Sequence, residues 1–297
     1  MKNGDCTKGG RMINESPPAN GNREKVKMTS SVLKHVQVHV PFPMLKEKLL
    51  SMVVRERVHP EIGFSHVALD GYSRADFAAV AERLVGEGLP VTLHAPFVDL
   101  RPGALDPEIR RVTAARLQQV FDLAPLFRPR SIVCHPSFDI RYYVTAERLW
   151  LEHSVETWRA FLPQAEQMGT IIALENVYER DPQELERLLA ALPSERVCCC
   201  FDTGHFNAFA TTPLDRWIVS LGDRIGQLHI HDNHGRMDEH LPVGEGTFPF
   251  AEFFRRLRER GRRPIITIEA HSEKNLWRAV KNLEDMNLLA ILETDPC

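Results

Sequence analysis

Eight short apolar runs, separated by longer amphipathic stretches, leave this chain few architectures to choose from. They fall at residues 35–40, 66–70, 91–95, 131–135, 171–175, 197–202, 225–231 and 265–269. Rich in β-branched residues, they read as strands covered on both faces. The stretches between them, such as 107–127, 145–168 and 250–260, place apolar residues at helical spacing. Asp106-Pro107, Asp181-Pro182 and Thr212-Pro213 each offer a side-chain acceptor for an N-cap and a proline for the first turn. Strands that alternate with helices pair in parallel through right-handed crossovers, and eight such units can close on themselves. The expected fold class is therefore α/β, a single (β/α)8 TIM barrel over residues 31–297, in preference to an open doubly wound sheet. Residues 1–30 are polar and rich in Gly, Asn and Pro, and are expected to form a disordered leader.

With 43% hydrophobic and 26% charged residues, the 297-residue chain has the composition of an ordinary globular protein. A net charge of -3 supplies no global field that would gather nucleic acid or an anionic membrane. There is no apolar run near the roughly 18 residues of a spanning helix and no signal-type segment at the start, so the expected location is cytoplasmic, with no membrane partner. Of the six cysteines, Cys198, Cys199 and Cys200 are adjacent and none forms a CxxC pair, which points to reduced, buried thiols.

Nearly every strand ends in a side chain able to bind a metal: His94, His135, Glu175, Asp202 with His205, His229 with His231, and Glu269. In a barrel the C-terminal strand ends meet at one mouth. Carboxylates closing apolar strands such as IIALE and IITIE carry a large desolvation cost unless a positive partner is present. Because no Lys or Arg occupies the strand ends, a divalent cation is the economical partner, and mixed imidazole and carboxylate donors suit Zn, Mn, Fe or Co. One strand-end histidine alone is more often a hydrogen-bonded structural group. Five of them with three carboxylates at equivalent positions are not. Cys134 falls on the other side of its strand from His135 and reads as packing. His35, His59, His66, His153, His234 and His271 read as surface or locally bonded groups, and His39 as a residue that could line the mouth without a supporting motif.

The ordered set HAPF, the His-Pro after the fourth strand, LEN, FDTGH, LHIHDN, DEHLPVGEGTF and IEAH resembles the xylose-isomerase-like barrel superfamily over roughly residues 33–293. This superfamily contains sugar phosphate isomerases and epimerases and the family 2 apurinic endonucleases. In the isomerases and epimerases the resemblance implies a single metal held by Glu175, Asp202, His229 and Glu269. It also implies that Glu175 and Glu269 move a proton through an enediolate, with His205 contacting a substrate oxygen. Spacing favours His229 over His231 as the strand-seven ligand; both fall on one side of the strand. In the endonuclease members up to three zinc ions use further ligands, and His94, His135, His205, Asp238 and His240 stand at the matching positions.

The endonuclease reading calls for a basic stripe at the mouth. The densest basic run, Arg255, Arg256, Arg258, Arg260, Arg262 and Arg263, instead precedes strand eight and belongs to the opposite face. Arg101 and Arg141 follow strand ends on the mouth side, where they could bind a substrate phosphate or pair with Asp99 and Asp139. His231, His205, Arg101 and Arg141 are the candidate substrate contacts, and Phe97, Tyr142, Tyr143 and Trp217 could line a pocket or simply pack. The reading is a metal-dependent isomerase or epimerase whose partner is a small sugar or sugar phosphate. DNA would be the partner only under the hydrolase alternative, and a non-catalytic metal-binding barrel is the third.

Overall fold

A computed structural model describes residues 31–293. The expected leader, residues 1–30, lies outside the described residues. Eight parallel strands form a closed barrel in sequence order: β1 (Gln37–Pro41), β2 (His59–Gly63), β3 (Thr92–His94), β4 (Ser131–Cys134), β5 (Ile171–Glu175), β6 (Val197–Asp202), β7 (Ile225–Ile230) and β8 (Ile265–Ile268). Pairing of β1 with β8 completes the ring, at Gln37 with Thr267 and Val38 with Ile268.

Seven strands fall within two residues of their expected bounds; the second does not. Residues 66–70, expected as a strand, belong to the short helix His66–Gly71, and β2 lies upstream at His59–Gly63. Ser65 decides the difference, because its side chain accepts the Ala68 N–H and starts a helix. Pro60 and Gly63, residue types depleted in strands, mask the true strand from a pattern reading.

The Pro107–Phe127 helix begins as expected, with the Asp106 side chain accepting from the Glu108 N–H and proline in the first turn. At Asp181-Pro182 the helix starts one residue later, at Gln183, whose N–H still donates to the Asp181 carboxylate. Thr212 does not cap the Leu214–Leu221 helix; its hydroxyl accepts from the Trp217 indole N–H instead.

The main core fills the space between barrel and helices, with Trp150, Trp158, Phe121, Phe201 and Phe253 wholly buried. Inside the ring the filling is of another kind. A small cluster of Val133, Ala173, Cys198 and Cys200 occupies one side. The buried polar residues Glu61, Thr92, Ser131, Gln227 and Thr267 bond to one another beside it. Cys134, Cys198, Cys199 and Cys200 are free and buried, as the sequence implied. No described helix is long and apolar enough to cross a membrane.

Candidate functional site

Barrel closure brings the strand-end residues to one mouth, where His94, His135, Glu175, His205 and Glu269 border a cavity of about 540 Å³. The first grouping is centred on His229. Its Nδ1 lies 3.1 Å from Glu269 Oε1, 3.4 Å from Glu175 Oε2 and 3.9 Å from Asp202 Oδ2. A second grouping shares the same oxygen of Glu175, with His94 Nε2 and His135 Nε2 each 3.2 Å from Oε2. His94 Nδ1 donates to the carbonyl of Ala95 at 2.8 Å, which turns its Nε2 toward the carboxylate.

The third grouping surrounds Asp238. Its carboxylate lies 3.0 Å from His240 Nε2, 3.4 Å from His205 Nε2 and 3.5 Å from His231 Nδ1. His205 Nδ1 donates to the Asn176 carbonyl at 3.0 Å. Asp202 links this grouping to the first, since Oδ1 caps the Thr203–Phe209 helix by accepting the His205 N–H while lying 3.0 Å from His231 Nε2. Asn176 clamps the Asp202 backbone through both of its side-chain polar atoms.

All nine metal candidates, Glu175, Asp202, His229, Glu269, His94, His135, His205, Asp238 and His240, are thus brought together. Several triplets among them, including His94, His135 and Glu175, and His94, His229 and Glu269, lie close enough to hold one cation. His135 Nε2, His229 Nδ1, His231 Nδ1, His240 Nδ1 and Asp238 Oδ1 are buried without an aligned hydrogen bond, a pattern that suits atoms meant for an ion.

Burial alone would raise the Glu175 carboxyl, yet the facing His229, His135 and His205 imidazoles overcome it and hold it well below the usual range. Glu269 behaves likewise: burial opposes ionisation, and His229 and His39 reverse the balance. Burial disfavours protonation of His205, but Asp202, Asp238 and Glu175 raise it well above an ordinary imidazole. For His229 the neighbours that overcome burial are the carboxylates of Glu61, Glu175 and Glu269. Without an ion, protons supply the positive charge these acids require.

The rim carries the remaining candidates. Arg141 makes a forked pair with Asp139, 2.7 Å at the closest. The Arg101 guanidinium stacks over the Tyr142 ring at 3.9 Å, while Tyr142 itself is 64% exposed. Phe97 stacks on His135 with centroids 4.2 Å apart. Trp217 and Tyr143 do not reach the cavity: both are buried, Trp217 against Phe201 and Phe206, Tyr143 against Phe138 and Trp150. The basic run is engaged elsewhere, with Arg255 paired to Glu259, Arg256 to Asp215 and Arg260 to Asp223.

Histidines on the mouth number more than the sequence suggested. His271, expected as a surface group, lines the cavity and stacks on His240 with centroids 3.9 Å apart. His39 lines it as well, its Nδ1 3.7 Å from Glu269 Oε1. Two acids escaped the sequence reading altogether. Glu61, in the misplaced second strand, lies under the site with Oε1 3.0 Å from His229 Nε2, an ion-pair contact rather than an aligned hydrogen bond. Asp232 sits inside the LHIHDN motif that did signal the region, and its carboxylate accepts the N–H groups of Asn233, Gly244, Gly246 and Phe248.

The model of the family described as xylose isomerase-like TIM barrel matches residues 59–289. The chain belongs to that family. A 202-residue stretch, 65% of the chain, is 30% identical to an uncharacterized protein of Methanocaldococcus jannaschii and covers 68% of it. A stretch of 133 residues, 43% of the chain, is 29% identical to the fructoselysine 3-epimerase of Escherichia coli O157:H7 and covers 48% of that protein. Among solved structures, a D-tagatose 3-epimerase-like protein superposes with a TM-score of 0.69 at 25% identity, covering 86% of this chain and 98% of its own. A Thermus thermophilus protein soaked with zinc chloride superposes at 0.68 with 22% identity, covering 85% and 98%, a likeness of fold.

Proposed function

We propose that this chain is a metal-dependent isomerase or epimerase of a small sugar or sugar phosphate. The observation that carries the reading is the meeting of Glu175, Asp202 and Glu269 around His229 Nδ1, all within 3.9 Å of it. Three acids around one imidazole nitrogen fit a divalent cation, one per chain, of the Zn, Mn, Fe or Co class. The names of the similar fructoselysine and D-tagatose-type epimerases support the substrate class.

When bound, the cation supplies Lewis-acid polarisation of adjacent sugar oxygens and offsets the negative charge that builds as a carbon loses its proton. Glu175 and Glu269 approach the same point from β5 and the end of β8. One takes a proton from the hydroxyl-bearing carbon beside a carbonyl and the other returns it, so that the electron pair rests on the carbonyl oxygen and the substrate passes through an enediolate. His205 faces the cavity and reaches a substrate oxygen; His231 supports Asp202 from behind. On the rim Arg101 and Arg141 favour the anionic end of a sugar phosphate, with Tyr142 and Phe97 offering ring faces to the sugar.

The experiment is proton exchange in deuterated water with a sugar and sugar phosphate panel and the zinc, manganese or cobalt form. Deuterium should enter one substrate carbon, and Glu175→Gln and Glu269→Gln should each abolish its entry while the fold is kept. Exchange retained in both variants defeats the assignment of the two glutamates.

One observation favours a second reading, a zinc-dependent phosphodiester hydrolase of abasic DNA. The additional groupings at His94 with His135 and at His205 with Asp238 and His240 could accommodate up to three ions. Against it, the paired arginines of the basic run lie on the helix Phe250–Glu259 and just after it, away from the cavity lining, and the rim arginines are few. Metal content decides between them: about one ion per chain supports the isomerase, about three the hydrolase, which should then nick an abasic duplex.

A further inference from the structure

We infer that Glu61 is a positioning residue, setting the ring of His229 from below and, through His39, the carboxylate of Glu269. The inference rests on reading Glu175, Asp202, His229 and Glu269 as a cation site.

Glu61 is wholly buried inside the barrel, at a depth that barrels commonly fill with branched apolar side chains. An ionised carboxylate there carries a large desolvation cost, so it needs both compensation and a purpose. Compensation comes through Oε2, which accepts from Thr92 Oγ1 at 3.0 Å, Thr267 Oγ1 at 3.0 Å and Gln227 Nε2 at 2.6 Å. Gln227 is itself fixed by the Ser131 hydroxyl, which donates to its Oε1 at 2.5 Å. Five strands therefore hold one acid in a single orientation.

That orientation aims the other oxygen at two imidazoles. Oε1 lies 3.0 Å from His229 Nε2 and 3.4 Å from His39 Nδ1. The contact is an ion pair rather than an aligned hydrogen bond, but a carboxylate only accepts, and its charge at 3.0 Å favours the proton of a neutral His229 ring on Nε2. Nδ1 then keeps its lone pair and faces Glu175, Asp202 and Glu269. Acids behind metal-binding histidines act in this way, and their loss weakens a site without touching a ligand. His39 extends the arrangement, because its Nδ1 is shared between Glu61 Oε1 and Glu269 Oε1. Its ring packs against Gly63, where a Cβ would come within 2.9 Å of Cε1 and Nε2, so the absence of a side chain at 63 leaves room for it to reach both acids.

The test uses the full chain, zinc as the probe, and the variants Glu61→Gln and Thr267→Val. Zinc affinity is read by competition with a chromophoric chelator, thermal melting of the metal-free proteins serves as the fold control, and the proton on His229 is located by 15N-histidine NMR of the zinc form. Glu61→Gln should bind zinc about 10–100-fold more weakly. Thr267→Val removes one donor to the acid while keeping its charge, and should lose affinity by a smaller factor. In the unaltered zinc form the proton should sit on His229 Nε2, and its resonance should move in Glu61→Gln. Unaltered affinity in a folded Glu61→Gln overturns the inference. Should that variant not fold, a proton found on Nδ1 of the unaltered zinc form, or unchanged affinity in Thr267→Val, overturns it equally. Failure of the unaltered protein to bind zinc, manganese or cobalt at all rejects the cation site itself and the inference with it.

Discussion

The imidazoles of His231 and His240 lie face to face, their centroids 3.9 Å apart and their planes 4° from parallel. One follows β7 and the other comes from the loop nine residues later, so the loop must fold back over the strand end for them to meet. Asp232 makes that return possible. Its two carboxylate oxygens gather four backbone N–H groups between Asn233 and Phe248, and its own backbone forms an antiparallel bridge with Leu241. Asp238 and His240 owe their place above Asp202 and Glu269 to this knot.

Asp232→Asn should loosen the loop without altering any strand. An amide nitrogen would replace one of the oxygens and leave backbone donors unsatisfied in a buried place, a cost of about 1–3 kcal/mol. The expected result is a lower denaturation midpoint and faster amide exchange at Gly244, Gly246 and Phe248. Unchanged protection at these three amides would show that the knot does not depend on the carboxylate.

Gly204→Ala tests how closely the Thr203–Phe209 helix must approach β7. A Cβ at Gly204 would overlap the His231 ring, which is buried and has no space to retreat into. A loss of about 1–3 kcal/mol is expected from overpacking, with weakened zinc binding as His231 leaves Asp202. Gly71→Ala is the control, since nothing lies within 4 Å of a Cβ there. Equal melting temperatures for the two variants would refute the close approach.

The metal-free protein should have an unusual dependence of stability on pH. His205 and His229 are raised well above 6.5 because their acidic neighbours overcome burial, so their contribution is complete below pH 6.5 and is lost as pH rises through the raised values. Glu175 and Glu269 are held well below 4.5 by facing imidazoles that overcome burial, so theirs is present above pH 4.5 and is lost as pH falls through the depressed values. Melting of the metal-free chain should therefore be highest between these limits and decline toward alkaline pH, while added zinc removes the alkaline decline because the ion takes over from the protons. A flat alkaline profile without metal would contradict the charge balance described for the site.

Glu179 offers a cleaner titration. Burial pushes its carboxyl up to about 7, with the Val177 N–H, bonded to Oε2 at 2.6 Å, opposing only in part. A carboxyl raised in the folded state contributes most at low pH, and its contribution fades as pH rises through about 7. Glu179→Gln keeps an acceptor for the backbone and removes the charge, so the variant should melt above the unaltered protein at pH 8 and match it near pH 5. The opposite ordering at pH 8 would mean that the ionised carboxylate is stabilised by a partner.

Where β6 ends and what it carries could be read directly, since an unbroken apolar run closing on Asp202 has one physical meaning. Its neighbour across the ring, β2, could not, because Pro60 and Gly63 interrupt the apolar pattern while residues 66–70 imitate it. That misplacement hid Glu61 with it. Arg141 and Arg101 illustrate a different limit: sequence proximity to Asp139 and Asp99 offered each a partner, and the fold gave Arg141 its aspartate and Arg101 the ring of Tyr142.

Sequence by itself determined seven of the eight strands, the parallel closed barrel class and the identity of the acids and imidazoles at those strand ends, because periodicity and hydrophobicity are local properties that set which face and which end a side chain occupies. Only the tertiary structure decided which ring nitrogen of His229 faces the acids, which histidine stacks on which, and that a glutamate from β2 stands beneath them. Those are distances across the barrel between residues as far apart as Glu61 and Glu269, and they are fixed by how the ring closes.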